Sequence, residues 1–170
     1  MEHKISGEKY SRQIRLFGEE TQKKIEETRV VVLSSKAPLV KAYIERLIVQ
    51  MGGTLGALEE CRIESAQNRE QGLQKEYWIF SVDQDAEEVQ KLEESELERV
   101  FYISTRSLSV STEHNAIQNE EKPESLRKIE ESCRKEFLKI VAGVAVQEYT
   151  KKLSGPNGFK TWQLDTPMFL

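Results

Sequence analysis

Cysteine, histidine and long apolar runs are all scarce in this sequence of 170 residues. The two cysteines, Cys61 and Cys133, stand far apart and form no CxxC pair. That spacing argues against a disulfide scaffold or a structural zinc site and fits a reducing compartment. The two histidines are His3, near the terminus, and His114, in a polar stretch, so a metal cluster has no ligand set to draw on. No apolar run is long enough to span a membrane. The opening MEHKISGEKY lacks the apolar core of a signal peptide. Positive charge is short too: 25 Lys and Arg against 29 Asp and Glu leave a net charge of −4. No basic stripe of the kind that nucleic acid requires is present.

What remains is 38% apolar and 32% charged. This composition predicts a modest core under a heavily solvated surface. The length suits a single domain over residues 1–170.

In YSRQIRLFG (10–18), Tyr10, Ile14 and Phe17 recur at i, i+4, i+7, one face of a short helix. Arg12 and Arg15 are i, i+3 neighbours on another face. Gly18 can end that turn. A second helix is expected over 19–27, with Glu19 and Glu20 in its first turn, where the helix dipole favours acids. Residues 1–28 thus read as an N-terminal helical arm. Val30 to Leu33 read as a strand buried on both faces, as in a parallel sheet.

Residues 37–51 are helical by period and are stopped at Gly52-Gly53. A weaker strand is expected at 54–58 and a polar loop over 60–75. Further strands are expected at 76–82 and 100–105, with an acidic helix at 85–97 that turns Val89, Leu92 and Leu97 inward. Residues 107–122 read as a polar, flexible loop. Pro123 suits a first helical turn. Beyond it, Leu126, Ile129, Cys133, Phe137, Ile140, Val141 and Val144 mark one apolar face, with a bend possible near 134–136. Ser154 to Gly158 end that region with turn residues, and 159–164 alternates like a last strand. The order β-α-β-α-β-α-β predicts a doubly wound, Rossmann-like α/β sheet.

In such a sheet the turn after the first strand is where nucleotide phosphates sit, usually on a GxGxxG loop. Here that turn is Ser34-Ser35-Lys36-Ala37-Pro38-Leu39, without glycine. Pro38 removes a backbone donor as well. Lys36 offers a charge, but a lone loop lysine is usually solvated. Glu59, after the second strand, stands where an acid can meet a ribose. Asp83, after the third, stands where a metal-binding aspartate is sought, though a helix N-cap is the commoner role. Cys133 reads as a core thiol and Cys61 has no evident activator, so neither is assigned as a nucleophile. Gly143 inside a helix costs roughly 1 kcal/mol relative to alanine. Close packing on the sheet or on a partner would offset that.

The stretch YSRQIRLFGEETQKKIEETRVVVL resembles the opening of the ubiquitin-activating and related adenylating enzymes, the ThiF-like family, with its Tyr-x-Arg-Gln-Ile-Arg-Leu-(Trp/Phe)-Gly pattern. EFLKIVAGVAVQEYTKKLSG followed by FKTWQLD resembles a second family segment, a helix ending in Gln147-Glu148 before a last strand. The middle of the chain matches only in its strand-helix order. The combination is most similar to the smaller, non-catalytic Aos-type half of heterodimeric activating enzymes such as that for SUMO. The resemblance implies a shortened ThiF-type adenylation fold in the nucleus or cytoplasm. It implies a partner, the catalytic subunit, that binds ATP-magnesium and the C-terminus of a ubiquitin-like modifier and carries the thioester cysteine. It also implies that Arg12 reaches the partner's ATP phosphates in trans, with Arg15 supporting it, and that this chain binds no cofactor or metal in its own pocket.

The chain departs from the family in three ways. It is about half the usual length. Its region after the fourth strand is reduced to a polar loop. The residues that hold magnesium and ATP have no clear counterpart, Asn68-Arg69 being the nearest echo. Two other readings stay open: a small free-standing adenylyltransferase homodimer, and a partner-binding scaffold that makes no use of its arginines.

Overall fold

Arg29–Ser34 forms the first strand, β1, because consecutive β-branched residues fit a pleated surface packed on both sides. Val30, Val31 and Val32 are all buried. Alternation sends Val30 and Val32 into one apolar cluster and Val31 into another on the opposite face. The computed structural model describes residues 10–70, 76–83, 89–113, 131–155 and 160–164.

Two helices precede β1: α1 (Ser11–Phe17) and α2 (Glu19–Glu27). After β1 come α3 (Pro38–Gln50), β2 (Thr54–Leu55), α4 (Leu58–Glu70) and β3 (Tyr77–Val82). Then follow α5 (Glu94–Leu97), β4 (Val100–Ser104), β5 (Ser109–Ser111), α6 (Glu131–Ser154) and β6 (Thr161–Gln163). The strands form one sheet in the order β2-β1-β3-β4-β5-β6. The β1–β2, β1–β3 and β3–β4 pairs are parallel, and the two pairs made by β5 are antiparallel. The register sets Arg29 beside both Thr54 and Tyr77, and Ser34 beside Val82.

Helices cover both faces. Val40, Ile44 and Ile48 of α3 and Val141, Ala145 and Tyr149 of α6 pack over Val30, Val32, Phe80 and Phe101. Phe80 stacks on Phe101 with centroids 5.3 Å apart and meets the edge of Tyr149 at 5.8 Å. Such pairs add about 0.5–1.5 kcal/mol beyond the buried area and fix α6 to the sheet. On the other face Cys61 of α4 packs with Val31, Ile79, Val100 and Tyr102. The chain therefore leaves β1 by α3 on one face and returns to β3 by α4 on the other. That is a doubly wound arrangement with its switch point between β1 and β3.

The arm is tied to the sheet's amino edge, where the parallel strands start. Tyr10 is buried and its ring lies over Gly52, the turn that leads to β2; a Cβ on Gly52 would fall 2.9 Å from the ring. Gln22 donates to the Met51 carbonyl at 2.9 Å. Lys24 donates to the Leu153 carbonyl at 3.3 Å, and Thr21 donates to Ser154 at 3.2 Å. Gly18 joins α1 to α2 at φ 84°, ψ 160°, a region that is essentially glycine's alone.

Several sequence expectations need correction. Residues 58–70, most of the expected 60–75 loop, are helix α4. Its buried side is filled by Cys61 and the small, polar Ser65, while Ile63 is exposed, so the apolar period was invisible. The expected strand at 54–58 shrinks to Thr54–Leu55. In the expected 85–97 helix, residues 84–88 lie outside the described residues; Val89 and Leu92 are buried, but Leu97 is 40% exposed. The 107–122 loop contains strand β5, and residues 114–122 lie outside the described residues. Helix α6 runs unbroken through 134–136. Cys133 and Ile140 are exposed rather than inward, because the buried face of α6 is set by Val141, Ala145 and Tyr149. Pro123, Leu126, Ile129 and residues 156–159 lie outside the described residues. Gly143 is not closely packed by the described residues: among them a Cβ there would meet nothing within 4 Å.

Two alanine substitutions should therefore move stability in opposite directions in urea unfolding. Gly18→Ala should destabilise by about 1–3 kcal/mol, since no side chain accepts that backbone easily. Gly143→Ala should stabilise by about 0.5–1 kcal/mol, since the helix gains propensity and nothing collides. Equal signs would refute this account of the two glycines.

Candidate functional site

The carboxyl edge of β1 and β3 is where an open α/β sheet binds its ligand. Ser34 ends β1, and its hydroxyl accepts the Ala37 amide at 3.2 Å, closing the turn on itself. Ala37 is the N-cap of α3 without a side-chain cap, and Pro38 takes the first helical position. The turn thus spends one amide on Ser34 and lacks another at Pro38, where a phosphate cradle needs free donors. Asp83, just past β3, has φ 48°. Its carboxylate accepts the Thr105 amide at 2.8 Å and the Thr105 hydroxyl at 2.5 Å. It is therefore engaged in holding the β3 and β4 ends together.

Glu59 lies in the first turn of α4 and pairs with Arg62 at 2.9 Å, not at the end of β2. Asn68 sits in α4, with an amide nitrogen that is buried and unpaired among the described residues; the side chain of Arg69 lies outside them. Gln147 is exposed, and Glu148 is buried against Lys151 at 2.5 Å. Asp83, Glu59 and Asn68, the positions weighed for metal, ribose and ATP, are therefore not drawn into one pocket.

The amino edge carries a cleft of about 290 Å³ lined by Glu26, Arg29, Cys61, Glu64, Asn68 and Tyr77, among others. Arg29 pairs with Glu64 at 3.0 Å. Burial pushes the Cys61 thiol up, against the pull of Arg29, which keeps it protonated and unreactive. Acids outnumber the one arginine here, so the cleft repels phosphate. Among the described residues no group of His, Cys, Asp and Glu could hold a metal ion.

Beside the cleft lies a buried network that the sequence did not reveal. Glu96, 4% exposed, accepts Arg62 through both carboxylate oxygens, at 2.9 and 2.7 Å. It also accepts the Tyr77 hydroxyl and the Glu93 amide, the latter at 2.7 Å. Arg62 reaches on to the Lys91 carbonyl at 3.0 Å. Burial alone would raise Glu96, but hydrogen bonds from Arg62, Tyr77 and Glu93 outweigh it and hold the carboxyl at about 2. Burial, then the bond to Glu96, raises the Tyr77 phenol, so it stays a donor. The only local cue in the sequence is the Glu93/Glu96 capping box; the long-range partners carry no signal.

Arg12 and Arg15 are both exposed on α1, a helix without a buried residue. Among the described residues neither forms an ion pair, and Glu20 pairs instead with Lys24 at 3.1 Å. The two arginines stand at the amino edge, across the length of β1 from the Ser34–Leu39 turn.

No family model, curated protein or solved structure matches the chain. The fold itself is mixed α/β, a six-stranded, mostly parallel sheet flanked by helices and compatible with a Rossmann-like architecture. Among the described residues no helix is long and apolar enough to cross a membrane.

The depressed Glu96 carboxyl makes stability depend on pH. Its value falls from 4.5 to about 2 on folding. The stabilisation, about 3 kcal/mol, is present above pH 4.5 and is lost as the pH falls toward 2. Urea unfolding at pH 7 and pH 3 should show this loss. Glu96→Gln should lower stability at pH 7 by a similar amount and flatten the acid limb. An unchanged acid limb in the variant would remove Glu96 as its source.

Proposed function

We propose that this chain is the non-catalytic half of a heterodimeric activating enzyme for a ubiquitin-like modifier, with a shortened ThiF-type fold and Arg12 supplied to its partner's active site. The catalytic partner holds ATP-magnesium and the modifier's C-terminus, and its cysteine forms the thioester. SUMO activation is the member of this class that the sequence resembles most.

What carries this proposal is the placement of Arg12. It is exposed, unpaired among the described residues, and at the opposite edge of the sheet from its own switch-point turn. That turn, without glycine and with Pro38 at the first helical position, is a poor phosphate cradle. A guanidinium forks onto phosphate oxygens and stays charged at any working pH. Delivered to a neighbour's ATP, it stabilises the charge that builds as the modifier's carboxylate attacks the α-phosphate and pyrophosphate leaves. Arg15 stands on the same exposed side of α1 and adds positive potential beside it.

With the reconstituted pair, Arg12→Ala should cut ATP–pyrophosphate exchange about 10²–10³-fold while the two subunits still elute together. Arg12→Lys should recover only part of the rate, since an ammonium lacks the fork. Full exchange by the alanine variant would reject the trans role. Exchange by this chain alone would favour the free-standing adenylyltransferase instead.

A further inference from the structure

We draw no further inference here: the strongest candidate, the amino-edge cleft lined by Glu26, Glu27, Glu64 and Glu76, is a cluster of acidic side chains around the Arg29–Glu64 pair in which nothing among the described residues points to a ligand, since the unpaired Asn68 amide nitrogen in its wall is itself closed off from solvent.

Discussion

Six residues of extended backbone hold the two edges of β1 roughly 17 Å apart. That separation governs what this protein can do with its charges. The turn where an α/β sheet receives phosphate lies at one end of the strand. The helix whose exposed arginines form no ion pair among the described residues is fastened at the other, by Tyr10 over Gly52 and by Gln22 on the Met51 carbonyl. No side-chain rotation of Arg12 bridges such a distance. The Ser34–Leu39 turn is therefore not the anion site those arginines serve.

The two ends of the strand are also opposed chemically. At the carboxyl edge one donor that a phosphate would recruit is absent, at Pro38, and another is engaged, at Ala37. The nearest carboxylate, Asp83, is bound to Thr105. At the amino edge a cleft exists, but Glu26, Glu27, Glu64 and Glu76 line it against the single Arg29. Neither place offers both room and positive potential. The sheet persists because its stability depends on other residues: Val30, Val32, Phe80, Phe101 and Tyr149 in one layer, and Val31, Ile79 and Tyr102 in the other. A turn without a phosphate cradle costs such a core nothing.

Much of this was legible in the sequence, and the boundary is physical. Elements with a strong apolar period, such as β1, α3 and β3, stand where the residues put them. Helix α4 did not read as a helix because a cysteine and a serine fill its buried side, so period and burial parted company. Cys133 and Ile140 misled in the opposite sense, being apolar residues on the solvent side of α6. The Glu96 network was illegible because its partners Arg62, Tyr77 and Glu96 meet only through the fold. Of the site, the missing glycines and the arginine pair could be read directly. That the arginines and the turn lie at opposite edges could not, because it depends on where Tyr10 and α2 dock.

A helix of seven residues is too short to persist on its own in water. Here α1 borrows order from outside its span: Tyr10 is buried before it begins, and Gly18 turns the chain sharply after it ends. A helix already held in place in the free chain carries less ordering cost into any association. It also fixes the backbone of Arg12 relative to the sheet. The constraint at Gly18 and the exposure of Arg12 belong together: a rigid corner in the backbone presents a permanently charged side chain outward.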